Sequence, residues 1–521
     1  MENTEKLRHP GGLFLLFFTE MWERFSFYGM QAVFYLYMIH ALTFDKTFAD
    51  LIYGNYTGMV YITALIGGFV SDRYFGNRKS IVTGGILMAV GQFILFSSGM
   101  LYTNIPVASG LLYAGLIFLC LGNGFFKPNI SSMVGQLYPE GDKRIDAAFT
   151  IFYMGINLGG LLAPIICGFL GNTGNMADFK WGYLAAGIGM ILSLVIFIPL
   201  KNKYVVKPNG DPVGVTPPGK LKKEETQEKN LLSGGVPRSG EVGIGTKQIV
   251  INLVVFVLLF AVFYFGLKAD TIGSFIYATF FTAPLSIITD RTLTSVEKKK
   301  IIAMFILVVF TMIFWIAFGQ IGSSLTYFAD NQVDRSIFGW DLPPAVFQGF
   351  GPLFIVSFAP IMAVIWTFLA KRSKEPSIPF KLAFGLLMMS FAYLILALAV
   401  NVLAPNVKVG MLWLIIMYFV LTIGELSLSP IGLSMIVKLA PIRFGSVLMA
   451  VWFLSLGTSF KLSGVLSAFF PTENHKPVLF GLFPINTTFD FLLIFVAMAG
   501  ISALILFAII KPMLKMMHGV R

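Results

Sequence analysis

The sequence predicts an all-α membrane protein with fourteen transmembrane helices: two six-helix bundles plus two extra helices between them. Three observations carry this prediction. Hydrophobic residues make up 56% of the 521, the mean hydropathy is +0.79, and charged residues are only 12%, about half the ~25% usual in soluble domains. The 64 charges cannot cover a soluble surface of this size. Apolar runs of about 20 residues, the length a ~30 Å hydrocarbon layer demands of a helix, recur along the chain. Finally, Lys and Arg sort to one side when the runs are made to alternate across a membrane.

Taken in order, the runs fall at about 13–39, 50–71, 80–100, 107–138, 145–170 and 181–200 in the first half. The second half holds about 301–329, 346–370, 382–403, 409–437, 444–470 and 488–510. Two more lie between, at about 248–267 and 272–289, the latter weakened by Thr279 and Thr282. The polar start, MENTEKLRHPGG, lacks an A-x-A-like cleavage site after it, so the first run reads as a retained span. Residues 202–246 form the only long polar stretch. Their Gly, Pro, Lys and Glu content predicts a flexible linker. The expected organisation is a bundle at 1–201, a cytoplasmic linker at 202–246, two additional helices at 247–297 and a second bundle at 298–521.

With the N-terminus inside, 29 of the 38 basic residues face the cytoplasm, six face outside and three lie within spans. The excess of Lys and Arg on one side places both termini of this multi-pass protein in the cytoplasm; the plasma (inner) membrane is the expected location. It also accounts for the net charge of +12 and the pI near 9.4, with no nucleic-acid partner required. Cys120 and Cys167, both in apolar runs, read as packing residues rather than a disulfide or metal pair. No nucleophile–base pair or metal cluster is legible, so neither an enzyme nor a cofactor is expected. Two equal helical halves joined by a linker are the layout of a transporter working by alternating access.

Six charges lie well inside spans: Glu20, Glu23, Arg24, Lys127, Glu425 and Lys461. Each is costly in hydrocarbon and should face a partner or a cavity. Helical spacing puts Glu20, Glu23 and Arg24 on neighbouring turns, with Arg24 able to pair with Glu20 at i,i+4 and roughly 16 Å deep. A static ion-pair lock is one reading. Two acids beside one base leave a surplus acid, and a proton relay is the other. Lys127 precedes Pro128, where a kink is expected; it binds a substrate carboxylate, exchanges protons or does both, or else snorkels to the cytoplasmic surface. Glu425, roughly 24 Å into its span, suits a substrate ammonium. Lys461, ~27 Å above Arg443, reads as snorkelling to the outer interface. Tyr61, Tyr153, Asn157 and Trp452 lie roughly 12–18 Å deep and serve either packing or a central cavity.

Four motifs tie these residues together. E-x-x-E-R-F-x-x-Y-G runs through Glu20, Glu23, Arg24, Phe25, Tyr28 and Gly29. GGFVSDRYFGNRKSI spans 67–81, FTIFYMGINLGGL spans 149–161 and GELSLSPIGLS spans 424–434. The chain resembles the proton-dependent oligopeptide transporter family of the major facilitator superfamily, bacterial type, over nearly its whole length except the linker. The resemblance implies a proton-coupled symporter that imports di- and tripeptides and functions as a monomer among membrane lipids. It implies proton coupling by Glu20, Glu23, Arg24 and Lys127. Peptide contacts would come from Tyr28, Tyr61, Lys127, Tyr153, Asn157, Glu425 and Trp452, with Gln320 at the helix-seven position. Glu425 would take the peptide amino terminus, and Arg24 and Lys127 the carboxy terminus. Asp72, Arg73, Gly76 and Arg78 would form a structural cytoplasmic loop.

The chain also departs from the family pattern. Gln31 stands where many members have arginine, and Phe27 where they have tyrosine. Phe318-Gly319-Gln320 carries no acid, Phe350-Gly351-Pro352-Leu353-Phe354 lacks the usual amide, and Gly54 replaces the histidine of animal members. Coupling is therefore expected to rest on the carboxylates and Lys127. Alternatives are the same fold carrying another small solute (an amino-acid conjugate, nitrate or a drug) or a non-transporting nutrient sensor.

Overall fold

A computed structural model of the chain describes residues 8–139, 142, 144–207, 209–215, 246–288, 293–372, 374–402, 407–441, 445–479 and 481–518. The centre of the expected linker and Arg443, the reference point for the depth of Lys461, lie outside the described residues. The chain is an all-α membrane protein. Six helices come first: α1 (Gly11–Leu36), α2 (Lys46–Val70), α3 (Asn77–Met100), α4 (Ile105–Gln136), α5 (Ile145–Gly171) and α6 (Phe179–Tyr204). Two shorter apolar helices follow, α7 (Thr246–Ala261) and α8 (Thr271–Ile288). Then come α9 (Ser295–Phe318), a short α10 (Ser324–Asn331), α11 (Phe350–Lys371), α12 (Ile378–Val402), α13 (Met411–Leu439), α14 (Gly445–Ser467) and α15 (Thr488–Met516).

Among the described residues, ten helices meet the length and hydropathy of a membrane span. The helix α1 is as long but carries Glu20, Glu23 and Arg24. Many rods turn large apolar residues outward, among them Ile117, Val195, Leu258, Val364 and Leu504. Such a surface is stable only against lipid, where no water has to be ordered around it.

Local chemistry explains where several helices start. The Asn104 side chain accepts from the Val107 amide ahead of α4, with Pro106 in the first turn. Thr294 with Glu297 and Thr487 with Asp490 form reciprocal caps that begin α9 and α15. The apolar run expected at 301–329 is not one helix. The chain leaves α-geometry at 319–323, where Ser323 sits at φ −125°, ψ −97°, and resumes as α10. The Gln320 amide draws this break onto α14 by donating to the Ser463 carbonyl and hydroxyl, each at 2.9 Å.

The chain divides into two compact units, 1–43 with 63–238 and 44–62 with 239–521. In the first, α1 packs on α5 and α6, and α3 packs on α4 and α6. In the second, α12 packs on α13 and α15, α9 on α14, α8 on α14, and α7 on α8. The Lys46 end of α2, through Ile62, belongs to the second unit. Residues 202–207 and 209–215, on the linker side of the first bundle, are structured. The last turn of α6 reaches Tyr204, and Val206 bridges Pro212 in a small hairpin.

Candidate functional site

In the first unit, α1 and α4 bring the acidic and basic residues of the charge motif together. Arg24 is fully buried and pairs bidentately with its sequence neighbour Glu23. Its Nη2 donates to Oε1 at 2.6 Å and its Nε to Oε2 at 2.5 Å. The Glu20 carboxylate pairs with Arg24 at i,i+4 as expected, at the longer distance of 3.3 Å. The difference is a matter of reach: the planar guanidinium meets one carboxylate with two parallel bonds, and Glu23 takes that place. Asn123 of α4 adds a third bond to Glu23 Oε1 at 3.3 Å. Glu20 Oε2 is buried and accepts no hydrogen bond from the protein. Lys127 of α4 interacts electrostatically with Arg24, Glu20 and Glu23. The guanidinium carbon also lies 4.9 Å from the Phe27 ring centre and 5.9 Å from that of Tyr28.

The helix α4 runs through Pro128 without interruption. Pro128 has no amide hydrogen to give, and the Asn129 side chain donates to the Phe125 carbonyl at 2.7 Å in the same turn. One turn earlier, α2 and α4 touch backbone to backbone. A Cβ at Gly67 would lie 2.1 Å from the Gly124 carbonyl oxygen, and Thr63 donates to the Cys120 carbonyl at 2.7 Å. Any side chain at Gly67 would push α4, and Lys127 with it, away from α2. On α5, Asn157 is buried and donates to the Tyr153 carbonyl at 2.9 Å, whereas the Tyr153 ring is exposed.

In the second unit, Glu425 on α13 is buried and its Oε2 accepts no hydrogen bond from the protein. Trp452 of α14 is also buried, with its ring against Gly432 of α13. Tyr61 stacks on Phe460 of α14, centroids 5.4 Å apart and planes 6° apart, and Trp315 of α9 lies 6.2 Å from Phe460. Gln320, expected among peptide contacts, is fully buried. Its amide nitrogen is committed to Ser463 and its oxygen accepts from Ser324 at 2.5 Å. Its role is to fix the break after α9.

Two expectations about charge are corrected. Lys461 does not snorkel. Its side chain is 0% exposed and its Nζ lies 2.6 Å from Asp270 Oδ1 and 2.5 Å from Asn55 Oδ1. Lys46, one of the six basic residues expected to face outside, is the first residue of α2. It is buried and paired with Asp50 at 2.7 Å. Buried Asp50 was hidden because the hydropathy of α2 rises only after it.

In the loop after α2, Arg78 carries the structural work. It donates to the carbonyls of Val213 at 2.6 Å and Val205 at 2.5 Å and to Asn202 Oδ1 at 2.8 Å. Gly76 turns at φ +72°, where a Cβ would meet the Val215 carbonyl at 2.7 Å. Asp72 and Arg73 are exposed beside it.

Comparison with known proteins sharpens the reading. The model of the POT family matches residues 78–215 and 254–481. An uncharacterized transporter, YclF, of Bacillus subtilis is 34% identical over 89% of this chain and 88% of its own. The di-/tripeptide transporter of Lactococcus lactis subsp. lactis is 31% identical over 100% of this chain and 99% of its own. Among solved structures, a peptide transporter POT in complex with sulfate aligns with a TM-score of 0.78 at 32% identity, covering 98% of this chain and 96% of its own. A POT family transporter in complex with 5-aminolevulinic acid aligns at 0.77 and 31%, covering 97% of each chain. The aligned folds span both halves and the extra helix pair, and with the family match they lead to one conclusion: the chain belongs to the POT family.

Proposed function

We propose that the protein is a proton-coupled symporter that imports di- and tripeptides across the plasma membrane, with both termini cytoplasmic. One observation carries the reading: the buried carboxylates are not equally compensated. Glu23 has all its bonds, whereas one oxygen each of Glu20 and Glu425 is buried without a protein donor. Names of relatives support the substrate, among them the Lactococcus lactis di-/tripeptide transporter and the Yersinia enterocolitica peptide transporter YePEPT. The orientation rests on the inside excess of Lys and Arg.

Each part then has a role. Glu20 takes the proton at Oε2. Neutral Glu20 no longer attracts Arg24 at 3.3 Å, so the balance of the α1–α4 cluster tips toward Glu23 and Lys127. A shift in that balance biases the two-state equilibrium of the carrier. Arg24 and Lys127 attract the peptide carboxylate, and Glu425 accepts the peptide ammonium. Tyr28, Tyr61, Tyr153, Asn157 and Trp452 shape the peptide site. Gln320 is left out, because its amide is spent on Ser463 and Ser324.

The test is uptake of a labelled dipeptide into proteoliposomes. Uptake requires an inward proton gradient in the parent protein. The Glu20→Gln variant keeps dipeptide exchange across the membrane within about threefold and loses gradient-driven accumulation by about tenfold or more, about 1.4 kcal/mol of coupling. Full uptake by the parent with gradient and membrane potential both collapsed overturns the coupling.

A further inference from the structure

We propose that Asp270, in the connection between α7 and α8, is a positioning residue for transport. It fixes Lys461 of α14, and through Lys461 it holds the Lys46 half of α2 against α14. The extra helix pair is then a working part of the carrier and not only a spacer.

Burying a lysine is costly. Lys461 is 0% exposed, and its only ion pair among the described residues is with Asp270, whose side chain is 35% exposed. An ammonium group removed from water needs a counter-charge and acceptors for its protons. Asp270 supplies the charge at 2.6 Å, and Asn55 of α2 supplies a second acceptor at 2.5 Å. One ammonium group therefore ties three elements: α14, α2 and the start of α8. The path is sterically prepared. A Cβ at Gly273, in the first turn of α8, would lie 2.8 Å from Lys461 Cε and 2.8 Å from Asp270 Oδ1. A side chain at Gly273 would oblige Lys461 or Asp270 to shift.

The seam it holds is built from close backbone packing and a few polar bonds. A Cβ at Gly54 would lie 2.9 Å from the Gly464 Cα, and one at Gly457 would lie 2.9 Å from the Gly58 carbonyl oxygen. Along these positions α2 and α14 meet backbone to backbone. Seams of small residues owe their strength to close packing and to the polar bonds across them. A second such bond set lies toward the Lys46 end. Lys46 donates to the Ser467 carbonyl at 2.9 Å, and Ser467 donates to Asp50 Oδ1 at 2.6 Å. Toward the other end, next to Lys461 in sequence, Phe460 stacks on Tyr61. Asp270 thus acts, through Lys461, on the helix pair that presents Tyr61.

The experiment uses the full-length protein with Cys120 and Cys167 replaced by alanine and spin labels at Phe48 and Val478, both exposed and both in the second unit. Distances are measured by pulsed electron resonance, and dipeptide kinetics are recorded in proteoliposomes. Asp270→Asn raises the long-distance fraction at least threefold and lowers kcat/KM at least fivefold. Asp270→Glu restores both to within twofold. Asn55→Ala, which leaves the ion pair in place and needs no buried charge to be stranded, raises the long-distance fraction at least twofold. Unchanged distances in both Asp270→Asn and Asn55→Ala overturn the proposal. The kinetic arm rests on the peptide reading above, whereas the distance arm does not. A parent that carries no dipeptide sinks the former and leaves the latter to be decided.

Discussion

The charge cluster of α1 and α4 and the lone carboxylate of α13 meet the same cost in opposite ways. In the cluster, two acids and two bases compensate one another, and Glu23 receives three hydrogen bonds from Arg24 and Asn123. On α13, Glu425 is equally buried, yet among the described residues no cation lies at ion-pair distance and its Oε2 has no protein donor. A cluster so compensated changes its balance when a single proton is placed on it. An uncompensated carboxylate has to acquire its counter-charge from outside the protein, as a proton or as a cationic group of the substrate. In the proposed function, coupling belongs to the first region and recognition to the second.

The comparison breaks most visibly at Glu23. Glu23→Gln turns an acceptor edge into one that is half donor, so the guanidinium of Arg24 faces an N–H group and loses its bidentate partner. Stranding one member of a buried pair costs about 3–5 kcal/mol. Gradient-driven uptake is expected to fall by about 100-fold or more, which corresponds to ~2.7 kcal/mol, and the melting temperature of the purified protein is expected to drop. Uptake within threefold of the parent would show that the cluster is not the coupling element.

A smaller effect is expected at Glu425, and a more selective one. Glu425→Gln removes the charge an ammonium would meet, with little change of shape. Affinity for a dipeptide with a free amino terminus should fall about tenfold, ~1.4 kcal/mol. Affinity for the same peptide acetylated at that terminus should change by less than twofold. Equal losses for the two ligands, measured by competition or calorimetry, would return Glu425 to a purely structural role.

Much of this is legible in the sequence, for a physical reason. Lipid forces each span to be long, apolar and helical, so hydropathy alone places helices such as α5 and α13 within a few residues of their bounds. The same scarcity of charge makes Glu20, Glu23, Arg24, Lys127 and Glu425 stand out. What was not legible is pairing. Helical spacing finds the Arg24–Glu20 pair at 3.3 Å and misses the closer bidentate pair with Glu23, which depends on rotamers. Lys461 could not be matched with Asp270, because the partner lies about 190 residues away in a polar connection. Lys46 and Asp50 escaped because two charges at the start of a span look like a loop. Gln320 looked like a substrate contact until its hydrogen bonds were seen to be occupied.

The smallest expected effect lies outside the membrane and sharpens the contrast between charges that matter through burial and charges at a surface. Asp142, in the connection between α4 and α5, accepts from Arg144 Nη2 at 2.7 Å and from the Arg144 amide at 2.9 Å. Arg144 in turn donates to the Arg8 carbonyl at 2.7 Å, and the Tyr138 hydroxyl hydrogen-bonds His9 Nδ1 at 2.8 Å. These bonds tie the connection to the start of α1. The hydrogen bonds from Arg144 hold the Asp142 carboxyl down at about 2, below the ~3.9 of an unfolded chain. A depressed carboxyl contributes stability above the unfolded value and loses it as pH falls through the folded one. Surface pairs contribute little, so Asp142→Asn should melt within about 2 °C of the parent at pH 7. The gap should narrow below pH 4, where the parent begins to lose what the variant never had. A gap that widens on acidification would mean that Asp142 is held by something other than Arg144.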